Sequence, residues 1–311
     1  MKFKISVLSP VHIGSGNIIS PLEYFVKNKK FVRIDMDGLF KDPIFKSQAQ
    51  QFIEKAIYCR LISKVLPAGI YERHILYTIA IHPSAERSNL IEVKEYIKSA
   101  GRVFIPGSSI KGSILSGVME NVLKQKGSVD FRNYNLLLGN VLNEISGGNK
   151  GKFSRWIDIR DTDFKKCEES LMLVQSRVAG AKTGRTLPIL YEALMPGIEF
   201  ETEIVWSAAR KQEKAEINIL SMADKFYRKI YQKEAQSGTV KMPSVPQNSF
   251  LLRIGQGSSA WATSFLLLAE ELGIRNYDIK RPPFHKVKGP PTTKKLISGS
   301  ISMGWVAIKQ G

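Results

Sequence analysis

Residues 107–126, GSSIKGSILSGVMENVLKQK, read as a helix with two unlike faces. Ile110, Ile114, Leu115, Val118, Val122 and Leu123 recur at helical spacing on one side, and Ser109, Gly112, Ser113, Ser116 and Gly117 line the other. Each glycine costs a helix interior about 1 kcal/mol relative to alanine. A helix that keeps two of them gains something from the missing side chains, and the physical candidate is close approach of another backbone. The expectation is an apolar face in the core and a small face that gives a polymer room to lie against the helix.

The residues leading in, FIPGSSIKGSI from 104 to 114, resemble a phosphate cradle. A nucleotide-binding loop of the form G-x-x-x-x-G-K-[ST] needs lysine after its second glycine, to reach the outer phosphates, and then a hydroxyl for magnesium. Gly107 and Gly112 have the spacing, but Ser113 and Ile114 occupy those two places and Lys111 comes one residue early. The order argues against a nucleotide triphosphatase. What remains is a helix N-terminus that Ser108 or Ser109 can cap and whose dipole favours an anion. Lys111 opposes that dipole unless an anion lies nearby; a capped helix with a solvated lysine is the plain alternative.

Around this helix, KFKISVLS alternates as a strand and EYFVKNKKFVRID as a hairpin turning at Asn28-Lys29. Residues 40–64 carry helical apolar spacing, YERHILYTIAI at 71–81 reads as a strand, and 89–99 as a short helix. FSRWIDIR, SLMLVQSRV, IEFETEIVW, FLLRI and SMGWVAIK read as further strands, with a long charged helix over about 208–236. The mixture lacks a steady βαβα rhythm, which predicts an α+β fold.

Composition decides the partner. The chain has 311 residues, 43% hydrophobic, and 46 Lys and Arg against 28 Asp and Glu, a formal charge of +18. Enough apolar residues for a sizeable core with that excess of cations point first to nucleic acid. No apolar run of membrane-spanning length and no leader are visible, so a cytoplasmic protein is expected. Cys59 and Cys167 are far apart and read as apolar fillers.

A second glycine-rich loop, RIGQGSSAW, fits G-x-G-x-x-A, but too little chain follows it to complete a dinucleotide-binding half. It can instead follow a nucleic-acid backbone, with Arg253 beside it and Trp261 either stacking or packing in the core. Two basic loops, with Arg177, Lys182 and Arg185, and with Lys280, Arg281, Lys286 and Lys288, add to a phosphate-tracking surface. The four histidines are scattered, without metal-ligand spacing. Asp158, Asp161 and Asp163 read as local ion pairing with Arg160 rather than a magnesium site, and Glu199, Glu201 and Glu203 as a solvated strand face. His12, in a small-residue loop, is the one candidate general base for a ribose hydroxyl. No cofactor, metal or catalytic constellation is called for.

Taken together, SPVHIGSG, ISPLEYFV, FIPGSSIKGSI, TLPILYEALMPGIEF, LLRIGQGSSAW and the terminal MGWVAI resemble the RAMP proteins of type III CRISPR systems. In order and spacing they are most similar to the fifth subunit of the type III-A (Csm) effector complex. The resemblance implies RRM-like, ferredoxin-like cores with long insertions, a first portion over 1–180 with a helical insertion at 39–100, and a second over 181–311. It implies a non-catalytic crRNA-binding subunit at the crRNA 3′ end that assists crRNA maturation. The implied partners are crRNA, neighbouring Csm backbone and small subunits and, further out, single-stranded target RNA and a host nuclease that trims crRNA. RNA contacts are expected at His12, Ser15, Ser108, Ser109, Lys111, Arg177, Lys182, Arg185, Arg253, Gly255, Gln256, Gly257 and Ser258. Sibling subunits cut target RNA with an early-loop aspartate; here Asn17 stands in that loop. The rival reading is a metal-independent endoribonuclease that processes crRNA through His12.

Overall fold

The computed structural model describes residues 1–86, 91–126, 139–141, 157–179, 188–206, 215–257, 260–263, 265–273, 280–281, 285–286 and 294–311. Its longer strands are β1 (Lys2–Val7), β2 (Gly14–Ile19), β3 (Tyr24–Lys27), β4 (Lys30–Ile34), β5 (Ile75–Ile81), β6 (Val93–Tyr96), β7 (Ile157–Ile159), β8 (Leu171–Ala179), β9 (Ile189–Leu194), β10 (Glu199–Trp206), β11 (Phe250–Arg253), β12 (Lys294–Ile297) and β13 (Trp305–Gln310). The helices used below are α1 (Met36–Lys41), α2 (Pro43–Tyr58), α3 (Gly107–Lys126), α4 (Ala215–Ala235) and α5 (Leu266–Glu271).

Two sheets organise this α+β fold. An antiparallel sheet runs β11-β13-β1-β10-β7, with Phe3, Ile5 and Val7 of β1 turned into the core. Helices α3 and α4 bury Ile110, Ile114, Val118, Leu220, Phe226 and Tyr227 in the same cluster. A larger mixed sheet runs β2-β6-β9-β8-β5-β4-β3, and β12 joins the far end of β8. Strands of each sheet come from both sides of residue 180. The span 39–100 is helical only in part, because β5 and β6 belong to the mixed sheet.

The small face of α3 is occupied from within. A Cβ placed on Gly117 would lie 2.3 Å from Ala223 Cα, and the Tyr227 hydroxyl donates to the Ser113 carbonyl at 3.2 Å. The backbone that approaches this helix is α4, which corrects the expectation of an external polymer along that face. Only the end near Gly112 meets open space.

Two local readings also change. Residues 93–99 form strands, not a helix: Val93 and Tyr96 fit either period, and pairing of β6 with β2 and β9 decides between them. The helical run at 40–64 breaks at Asp42-Pro43, where the Asp42 carboxylate accepts from Ile44 N at 2.8 Å and starts α2, and ends its main helix at Tyr58. The hairpin forms as read, with Asn28 and Lys29 both at positive φ in a turn that matches strand twist.

Candidate nucleic-acid interface

The loops that carry His12 and Gln256 meet. Gln256 N donates to the His12 carbonyl at 2.7 Å, and a Cβ on Gly255 would lie 2.4 Å from that same oxygen. Gly255, at φ +74°, is therefore required twice, for its backbone angle and for the contact. The junction opens into a cleft of about 360 Å³ lined by His12, Gly14, Gly16, Asn17, Ile18, Lys94, Glu95 and Gln256.

His12 is buried, and its ring packs on Tyr191 at 4.8 Å between centroids. Nδ1 lies 2.7 Å from the Glu192 carbonyl, which can only accept, so Nδ1 carries the hydrogen. Burial first, then the charges of Lys94 and Lys98, lower the imidazole to about 4 against the opposing hydrogen bond. The ring is neutral at pH 7.

Beneath the ring, the fully buried Glu192 carboxylate takes the Tyr77 hydroxyl, Tyr96 N at 3.0 Å and Lys98 Nζ at 2.6 Å. Three strands are tied to one carboxylate. On the cleft wall, Ser15 and Asn17 both donate to Glu95 Oε2 at 3.0 Å, and Lys98 lies 3.5 Å from Glu95. Burial would raise the Glu95 carboxyl, but these bonds and the Lys98 charge together hold it below its usual range. Ser15 thus spends its hydroxyl hydrogen on a carboxylate.

Cations gather beside the cleft. Lys94 Nζ sits 5.7 Å above the Tyr191 ring, and the half-buried Lys295 ammonium is lowered by burial and then by the charge of Lys94. A lysine lining the cleft with a second ammonium near enough to feel its charge makes a site suited to an anion. Lys94, Glu95, Lys98, Glu192 and Lys295 were not foreseen. The EVKEYIK segment could have revealed the first three, once taken as a strand.

Arg253 requires a correction. It lies in the interior, where it pairs with Glu234 at 2.7 Å, both side chains 2% exposed. It also donates to the Met303 carbonyl, the Ser302 hydroxyl and the Gly257 carbonyl, and its guanidinium lies 4.8 Å from the Trp305 ring centre. Arg253 holds the 255–257 turn from behind and cannot reach a phosphate outside. Trp261 is a core aromatic, 6% exposed.

The N-terminus of α3 is finished differently from the sequence reading. Asp161 Oδ1 accepts from Gly107 N at 2.8 Å, so a carboxylate from the segment after β7 supplies the anion, in place of a cap from Ser108 or Ser109. Ser108 is exposed, and Ser109 and Lys111 are half-buried on the first turns. Asp163 accepts from Glu201 N and pairs with Lys165 at 3.0 Å, while Arg160 pairs with Glu203 at 2.6 Å. The local-pairing account of this segment stands, with Arg160 partnered by Glu203 rather than Asp158. Among the described residues no group of His, Cys, Asp and Glu could hold a metal ion, and no helix is long and apolar enough to cross a membrane. Arg177 is exposed on β8, bonded to Gln175, and Lys182, Arg185, Ser258 and Lys288 lie outside the described residues.

A model of the RAMP superfamily matches residues 4–260. A Streptococcus thermophilus protein described as "CRISPR system Cms protein Csm5" is 28% identical over 337 residues, covering 97% of this chain and 92% of that protein. A protein of the same description from Methanocaldococcus jannaschii is 26% identical over 131 residues, 39% of this chain and 31% of its own. Among solved structures, a chain in the cryo-EM structure of a Csm-crRNA-target RNA ternary complex matches with a TM-score of 0.73 at 21% identity, covering 99% of this chain and all of that one. The crystal structure of T.onnurineus Csm5 matches with a TM-score of 0.64 at 20% identity, over 97% and 99%. At these identities the structural likeness is one of fold.

Proposed function

The chain belongs to the RAMP superfamily, and from that premise we propose that it is a non-catalytic, RNA-binding subunit of a type III-A CRISPR effector complex. It holds the crRNA near its 3′ end and assists its maturation. The observation that carries this reading is the meeting of the His12 and Gln256 loops around one cleft, with Lys94 in its lining and Lys295 within reach of the Lys94 charge. Single-stranded RNA binds without sequence preference where a cationic groove follows its phosphates. Likeness to a protein from a Csm complex with crRNA and target RNA supports crRNA, target RNA and neighbouring Csm subunits as partners, in the cytoplasm; a trimming nuclease completes the proposed set.

The antiparallel sheet supports a ferredoxin-type core. Its strands β1, β7, β10 and β13 occur with α3 between the first two and α4 between the last two, the order β-α-β-β-α-β. Ser108, Ser109 and Lys111 at the head of α3 and Arg177 on β8 extend the RNA surface, and Lys182, Arg185 and Ser258 belong to the same proposed set of contacts.

The endoribonuclease alternative asks His12 to remove a ribose proton. A base works best with a pKa near the operating pH, and burial leaves His12 near 4. The test is incubation of the purified protein with a labelled repeat-spacer RNA. Retention of intact RNA, with log K falling linearly with log salt at roughly −0.7 per phosphate contact, is the expected outcome. Cleavage abolished by His12→Ala would overturn the non-catalytic assignment.

A further inference from the structure

We propose that the cleft is a ribose subsite in which Nε2 of His12 accepts a hydrogen bond from the 2′-hydroxyl of a bound nucleotide, so that this protein distinguishes RNA from DNA at that position. The inference rests on reading the cleft as part of the RNA surface, and it names which group of the RNA enters.

Three features of the ring lead to it. Nδ1 is committed to the Glu192 carbonyl as a donor, which leaves Nε2 as a lone-pair acceptor in the neutral ring. The side chain is 1% exposed, and Nε2 has no hydrogen-bond partner among the described residues. Nε2 faces Gly14, where a Cβ would come within 3.2 Å of it; the glycine leaves the approach to this nitrogen clear on the side that lines the cleft.

An acceptor of this kind selects its ligand. A phosphate oxygen carries no hydrogen and cannot bond to Nε2, so the anion belongs at Lys94 and Lys295, beside the cleft rather than at the imidazole. A ribose hydroxyl lies next to the phosphate and can donate. Glu95, the carboxylate in the wall, is already engaged by Ser15, Asn17 and Lys98. A base N–H could also donate, but among the described residues no ring apart from His12 lines the cleft on which a base could stack. The hydroxyl is also the donor present on every nucleotide, which suits a surface that follows backbone rather than sequence.

The test is a set of short labelled single-stranded RNAs, each with one 2′-deoxy substitution, titrated against the full-length protein and two variants. His12→Asn keeps a donor for the Glu192 carbonyl and removes the Nε2 acceptor; His12→Gln places an acceptor near the Nε2 position. With the wild type, one position should lose about 2- to 10-fold in affinity on deoxy substitution, the size of one net hydrogen bond. In His12→Asn that loss should vanish while the salt slope stays the same, and His12→Gln should restore part of it. If the wild type does not bind RNA, the RNA-binding reading falls. If it binds and no position is sensitive, if sensitivity survives His12→Asn, or if the loss follows base identity, the ribose assignment falls and the RNA-binding reading stands.

Discussion

The head of α3 and the glycine-rich loop that carries Gln256 both read from sequence as places for a phosphate backbone, and the fold leaves only one of them open to it. At α3 the anion comes from within: Asp161 sits on Gly107 N, and α4 fills the small-residue face. At the cleft the backbone is equally well joined, yet Lys94 lines the opening, near enough to Lys295 to lower that ammonium, and Nε2 of His12 is left without a partner. A loop whose polar groups are balanced inside the chain is a joint. One that leaves a cation pair and an acceptor at an opening is a place for a ligand.

The sharpest way to break this contrast is to undo the frame of the cleft. Arg253→Met removes the cation from the buried Glu234 carboxylate, which also accepts from the Ser302 hydroxyl. Removing one member of a buried pair costs about 3–5 kcal/mol, which the midpoint of urea unfolding will read. RNA affinity should fall too, because the Gly257 carbonyl loses its donor. A loss below about 1 kcal/mol would mean that the pair does not hold the turn.

Titration of His12 comes next in size. The unfolded chain binds this proton near pH 6.5 and the folded one near 4, because burial disfavours the imidazolium. Stability from this group is complete above 6.5 and is lost as pH falls toward 4, by about 3 kcal/mol. Unfolding curves across that window should show the dependence in the wild type and its loss in His12→Asn. An equal slope in both would place the ring in water rather than under the cleft.

Close packing at α3 ranks third. Gly117→Ala drives a Cβ into Ala223 and should cost about 1–3 kcal/mol without altering the salt dependence of RNA binding. A changed salt slope at constant stability would return the small face to the RNA.

Much of this molecule was legible in the sequence because the signal was local. The Asn28-Lys29 turn, the alternating β1 and the two-faced α3 each carry their instruction within a few residues. Glycine at 117 announced a close approach correctly; which backbone approaches depended on α4, about a hundred residues later. Arg253 shows the same limit, since an arginine beside a glycine-rich loop reads as a phosphate contact until Glu234 and Ser302 are brought to it by another helix and the end of the chain. Glu192 was invisible for a further reason. A carboxylate in an apolar strand looks exposed until Tyr77, Tyr96 and Lys98 surround it, and the pairings of β9 with β6 and, through β8, with β5 set them there.

The smallest effect separates the two cradles most directly. For a single strand, each phosphate contact contributes roughly 0.7 to the slope of log K against log salt. Lys94→Ala should make the slope shallower by about that amount, since Lys94 lines the cleft. Lys111→Ala should change it by only a fraction, because Asp161 already occupies the helix N-terminus that would draw the phosphate in. Asp161→Asn in the same protein should then raise the share of Lys111, at a cost in stability of about 1 kcal/mol for the lost charge at Gly107 N. Equal slopes for Lys94→Ala and Lys111→Ala would show that the internal carboxylate does not close the α3 cradle, and that RNA passes over both.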